Sequence, residues 1–154
     1  MTTRRTLLAA LVMAPLSARA HHGWSSFDEG APLFLAGTLK SVSWTNPHAE
    51  AVLAVTAGLA LPADLAKRSV PPQSASVDGP AILARATVPA QAAGEWTLEF
   101  APLSRMQAWG LAEAPAAGTR IEVVGYSGPK LGRVMRVEYL FIAGRAYGLR
   151  SSPR

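Results

Sequence analysis

The sequence predicts a mainly β domain: a small barrel of five to six strands with one short helix. Three observations carry that prediction. In Glu95-Trp96-Thr97-Leu98-Glu99-Phe100 the apolar and polar residues alternate, as a half-buried strand requires. Similar runs are separated by turn-forming pairs such as Asn46-Pro47 and Ala143-Gly144. The clearest helical spacing, Leu103, Met106, Gln107 and Gly110 after Pro102, falls between the third and fourth strands. Strand, strand, strand, helix, strand, strand is the element order of an OB-fold, a partly open Greek-key barrel. A β-sandwich fragment or another small barrel is the alternative.

Residues 1–20 read as a cleavable signal peptide. Arg4-Arg5 precede an apolar run from Leu7 to Leu16, and Ala18-Arg19-Ala20 forms a small-residue cleavage site. The run is far shorter than the roughly 20 residues that span a bilayer, so no membrane span is expected in the mature chain. Thr3-Arg4-Arg5-Thr6-Leu7-Leu8 resembles a twin-arginine leader, though paired arginines also occur in ordinary ones. The expectation is export to the periplasm or beyond, with cleavage after Ala20.

The mature chain then opens with an arm, residues 21–32, that is polar and rich in turn formers, with Trp24 and Phe27 as its anchors. A single domain follows over residues 33–150. Its first strand, Leu33 to Trp44, alternates through Leu35, Gly37 and Leu39 and then slips phase to Val42 and Trp44. A slip beside a glycine predicts a bulged, curved strand. Asn46-Pro47 turns the chain into a second strand, Ala49 to Thr56. Residues 57–94 are Ala/Pro-rich with poor periodicity, and composition favours an unstructured connection. Within it, Leu61 to Arg68 suits a short helix and Ala81 to Val88 a short strand. Regularity resumes at Glu95 to Phe100. The helix follows, and Gly110 is its natural stop. Thr119 to Ser127 is the fourth strand. Arg133 to Ile142 is the fifth, with Met135, Val137, Tyr139 and Phe141 expected on one face and Arg136 and Glu138 on the other. A last short strand near Ala146 to Leu149 and a tail complete the chain.

Composition excludes several functions. The formal charge is +5, but Arg4, Arg5 and Arg19 lie in the leader, leaving 12 Lys and Arg against 10 Asp and Glu. That balance, with no basic block, argues against nucleic acid as a partner. The chain has no cysteine, so disulfides, thiolate metal sites and cysteine nucleophiles are absent. No Gly-x-Ser-x-Gly elbow occurs. Gly125-Tyr126-Ser127-Gly128 lacks the spacing and ending of a phosphate loop. Asp28-Glu29 and the pair Glu95 and Glu99 read as solvated carboxylates. No enzyme is expected.

Histidine placement is the informative feature. The chain has three histidines, His21, His22 and His48. Cleavage after Ala20 makes His21 the amino terminus, where its α-amine and ring Nδ1 can chelate one ion. His48, on the turn after the first strand, is the natural further donor; His22 can substitute for either, and Asp28 offers an oxygen. Copper(II) favours such nitrogen-rich tetragonal sets and binds most tightly among divalent first-row ions. The plain alternative is that all three are solvated or turn-shaping residues.

Several segments carry a resemblance. They are Ala20-His21-His22-Gly23-Trp24 after a leader, Gly37 through Trp44-Thr45-Asn46-Pro47-His48, Gly125-Tyr126, and Gly144-Arg145 after the closing strand. Together they resemble a family of small exported bacterial proteins known only as a domain of unknown function. The resemblance implies export and a small β domain, and it supplies no activity. The sequence therefore points to an exported accessory or carrier protein with copper or a similar ion at His21, His22 and His48. The alternative is a metal-free binding module for a protein, envelope component or small solute, presenting Trp44, Tyr126 and Arg136 on a concave face. A copper-dependent oxidase is a distant third.

Overall fold

A computed structural model of the chain describes residues 24–73 and 77–149. Six strands follow in order: β1 (Leu33–Ser43), β2 (Glu50–Val55), β3 (Gly94–Glu99), β4 (Arg120–Tyr126), β5 (Val134–Ile142) and β6 (Arg145–Gly148). Five of them run β3-β2-β1-β4-β5, and a parallel pairing of β3 with β5 closes the barrel. The sixth adds to β5 as an antiparallel hairpin partner. One helix, α1 (Gly79–Arg85), lies in the long connection, and the other, α2 (Leu103–Ala108), lies between β3 and β4. This is the OB arrangement that the element order predicted, with one extra strand.

Alternation fills the barrel. Trp96 and Leu98 of β3 point inward with Ala51, Leu53 and Val55 of β2, all buried in one cluster. Met106, fully buried on α2, joins the same cluster, and the Trp96 indole N–H donates to the Ala92 carbonyl at 2.8 Å. Each large side chain buried this way is worth roughly 1.5–3 kcal/mol against exposure.

β1 serves two neighbours, pairing through Leu33–Thr38 with β4 and through Thr38–Ser43 with β2. It turns the corner at a bulge between Leu39 and Ser41, as the phase slip implied. The adjoining glycine has a steric cause. A Cβ on Gly37 would stand 2.1 Å from the Ala54 carbonyl oxygen.

A second bulge corrects the reading of β5. Its register with β4 shifts between Val124 and Gly125, which leaves Glu138 as the extra residue. Met135, Val137 and then Leu140 enter the barrel core, whereas Tyr139 and Phe141 are turned to an outer cluster. The uninterrupted alternation expected from the sequence therefore fails halfway along the strand. Arg136 and Glu138, expected on the face opposite Met135 and Val137, are themselves 6% and 0% exposed.

The connection accounts for the burial of Glu138. Against the expectation of an unstructured segment, residues 57–73 and 77–94 pack on the outer wall. Leu65, in the 3-10 turn Leu65–Lys67, joins Ile82, Leu83 and Ala86 over Phe34, Ala36, Val124 and Tyr139. The strand expected over Ala81 to Val88 is instead α1. Asp78 caps it by accepting from the Ala81 N–H at 3.0 Å, and Pro80 sits in its first turn. That start signal outweighs the β-branched character of the short run behind it. Arg68 ties the segment down. It bonds Asp64 at 3.0 Å, pairs with Glu122, and lies 5.1 Å from the Phe141 ring centroid. The hydrogen bond from Arg68 holds the Asp64 carboxyl below its usual value, and the same bond pushes the Arg68 guanidinium further up. Gln73 Nε2 donates to the buried Glu138 at 2.6 Å.

Candidate functional site

The turn bearing His48 is built at one end of the barrel. Trp44, half-buried, tilts against Phe100 with ring centroids 5.8 Å apart, and a cis Asn46-Pro47 bond leads into His48. Ala49 and Ala51 are buried in the barrel, so strand alternation assigns Glu50, at the start of β2, to the opposite, outer face. His48 itself is partly buried, and its Nδ1 is shut off from solvent.

From Glu50 a row of residues runs across the outer wall. Glu50 registers with Ser43 on one side and Glu99 on the other, and Glu99 registers with Arg136. Arg136 donates through Nη2 and Nε to one Glu99 oxygen, at 2.7 and 3.1 Å. The two side chains are only 8% and 12% exposed. A pair so shielded is held by mutual attraction, and removing one partner leaves a costly buried charge. The solvated reading of Glu99 is thus corrected. Glu95 does match it, sitting exposed in a surface pair with Lys40.

The arm reaches this row from the other direction. Phe27 is buried, and the Arg136 guanidinium lies 5.1 Å from its ring centroid, so the cation is sandwiched between a carboxylate and an aromatic face. The Asp28 N–H donates to the Ser127 carbonyl at 2.8 Å. The Asp28 carboxylate accepts from the Gly30 N–H at 2.9 Å, closing a local turn. Beneath the arm lies Gly128, where a Cβ would come within 2.0 Å of the Ser26 carbonyl oxygen. Phe27, the buried ion pair and Glu50 therefore lie along one row of the wall, and His48 precedes Glu50 by two residues.

His21 and His22 lie outside the described residues, so of the three histidines only His48 has a described position. Among the described residues no three His, Asp or Glu side chains gather into a metal-holding group. The exposed platform expected of Trp44, Tyr126 and Arg136 does not exist. Tyr126 is 1% exposed and Arg136 is enclosed in its pair. Trp96 is a core residue, as its alternation indicated. A groove of about 620 Å³ opens between the connection and β4–β6, but Arg68, Asp64 and Glu122 on its walls are already bonded to one another. Sequence reading named Phe27 as an anchor and missed the glycine seat. Gly128 before Pro129 looks like an ordinary turn, and only the chain crossing above it shows otherwise. No described helix is long and apolar enough to cross a membrane.

The model of a family of unknown function (DUF6152) matches residues 9–60, and over that stretch the chain is similar to it. The match includes the arm, β1, the Trp-Thr-Asn-Pro-His turn and β2. It stops short of the Gly125-Tyr126 and Gly144-Arg145 segments. No curated protein and no solved structure matches the chain.

Proposed function

We propose that this is an exported accessory or carrier protein that binds copper, or a similar transition-metal ion, through its processed amino terminus. Cleavage after Ala20 exposes the α-amine and imidazole of His21. His48 adds a second side-chain nitrogen, and His22 is available as an alternative donor. With no cysteine in the chain, imidazole and amine nitrogens are the donors suited to such an ion, and copper(II) is the ion they favour. Binding requires these groups deprotonated, so affinity falls as the solution is made more acid.

The observation that carries this reading is the seating of the arm. Trp24 starts a segment fixed at Phe27 and Asp28, on the row of residues that runs to Glu50, two residues from His48. Trp24 is three residue steps from His21, a reach of about 10 Å when extended. A terminus tethered at such a point faces a far smaller search for His48 than a loose tail does. Enclosure of Tyr126 and Arg136 removes two of the three residues of the alternative solute platform, which favours the metal reading.

The test is copper(II) titration with electron paramagnetic resonance on protein processed in its export host, with intact mass confirming His21 as the first residue. One-to-one binding with a tetragonal, multi-nitrogen signal is expected. His48→Ala and a single residue added before His21 should each weaken it at least tenfold. Binding indifferent to both changes would sink the proposal.

A further inference from the structure

We infer that a groove at one end of the β2–β3 pair is a binding site for a small aliphatic carboxylate, with Arg133 as its anion contact. The inference does not depend on the metal reading, since no histidine lines this groove.

The connection leaves β2 and returns to β3 at the same end of the barrel, where Val55 registers with Gly94. Between the departing residues 56–59 and the returning residues 88–93 lies a groove of about 510 Å³. That size falls within the roughly 300–1,000 Å³ of small-molecule sites. Its walls are held by the fold: Leu59 and Val88 pack on the barrel core, and the Trp96 indole N–H bonds the Ala92 carbonyl at 2.8 Å. Leu59, Val88 and Pro89 give the groove apolar surface, and Thr56 and Gln91 supply neutral polar groups. Among the described residues its one charged lining side chain is Arg133, and no carboxylate lines it.

Arg133 is held where an anion can reach it. It directly precedes β5, and its carbonyl accepts from the Thr97 N–H at 2.9 Å, which fixes the backbone beneath the side chain. The guanidinium lies across Gly94, where a Cβ would stand 2.3 Å from Nη1 and 3.1 Å from Cζ. Arg68 and Arg136 each face carboxylates within the fold. Arg133 forms no ion pair among the described residues, and the carboxylate beside Gly94 in sequence, Glu95, is taken by Lys40. An exposed arginine alone is an ordinary surface residue. As the sole charge of a groove that is otherwise apolar or neutral, it selects for a ligand that is itself part anion and part hydrocarbon. The guanidinium fork matches a carboxylate through two parallel N–H···O bonds. The attached chain would cover Leu59, Val88 and Pro89, a gain that a bare anion forgoes.

Octanoate titrated into the purified protein, followed by backbone amide nuclear magnetic resonance, tests this. Saturable one-to-one binding in the millimolar range or tighter is expected, with shifts concentrated at residues 56–59 and 88–93. Arg133→Gln removes the charge and the fork and should weaken binding about tenfold or more. Arg133→Lys keeps the charge alone and should fall between the two. Both variants should fold as the parent does, because the side chain is exposed and has no ion pair among the described residues to lose. Ala90→Trp puts a ring at an exposed lining position and should block the groove with a similar loss. Octanamide lacks the charge and inorganic phosphate lacks the chain, so each should bind about tenfold more weakly than octanoate.

Absence of saturable octanoate binding overturns the inference. So do shifts centred outside the groove, or an affinity that Arg133→Gln leaves unchanged. Octanamide binding as tightly as octanoate would rule out a carboxylate site, and phosphate binding as tightly would rule out an aliphatic one.

Discussion

Two irregular segments cover the outside of the same barrel, and they are attached in opposite ways. The connection between β2 and β3 is held by apolar burial: Leu65, Ile82 and Leu83 close a second core over Phe34, Val124 and Tyr139. The arm is held by an aromatic side chain on an ion pair, by backbone hydrogen bonds at Asp28 and Pro32, and by its close passage over a glycine. At roughly 1.5–3 kcal/mol per fully buried large apolar side chain, the connection contributes several times what the arm does. The difference teaches where stability and function divide. The connection unfolds with the barrel, whereas the arm can detach locally.

Substitutions can break that contrast, starting with the scaffold both segments rest on. Gly37→Val drives a side chain into the Ala54 carbonyl where β1 turns its corner. It should exceed the usual overpacking cost of about 3 kcal/mol and abolish the cooperative denaturant transition. Leu83→Ala empties the outer core and should cost about 3 kcal/mol in urea unfolding, with the whole barrel losing stability together. A loss confined to the connection, seen as local hydrogen exchange with an unchanged global midpoint, would erase the distinction drawn here. Phe27→Ala should cost about 1–2 kcal/mol, since the ring sits at an edge and contributes packing plus a cation–π contact. Exchange should rise at the arm alone.

The smallest effect sharpens the comparison at the polar clasp of the connection. Asp64 is fully exposed and held below its ordinary carboxyl value of 3.8 by Arg68. Its contribution is therefore present at pH values above that ordinary value and is lost as pH falls through the lowered one. Asp64→Asn should lower the urea midpoint slightly near neutral pH. The difference from the parent should close in acid, below the ordinary carboxyl value. A difference that persists or widens in acid would show that Asp64 acts through something other than its charge.

Much of the barrel was legible because its signals are local. The alternation of Trp96, Leu98 and Phe100, the slip after Gly37, and Pro102 before a helical spacing each depend on neighbours in sequence. The phase of β5 was not legible, because the bulge at Glu138 is set by pairing with Val124 and Gly125 on another strand. The helix α1 was misread as a strand through its short apolar run, although Asp78-Gly79-Pro80 carried a usable start signal. At the candidate site, the three histidines and the anchor Phe27 could be named from sequence. The arrangement of Phe27, Arg136, Glu99 and Gly128 could not, since those residues come from four separate stretches of chain.

By itself the amino-acid sequence determined which chemistry this protein can use: nitrogen and carboxylate donors, no thiol, and an order of elements that closes as a small barrel. Those are properties of composition and of short-range periodicity. Only the tertiary structure decided that an Ala/Pro-rich segment becomes a second core, that Arg136 is enclosed instead of displayed, and that the arm rests on a glycine. Each of these depends on which surfaces meet across the fold, and burial is a property of the surfaces that meet, not of the residue alone.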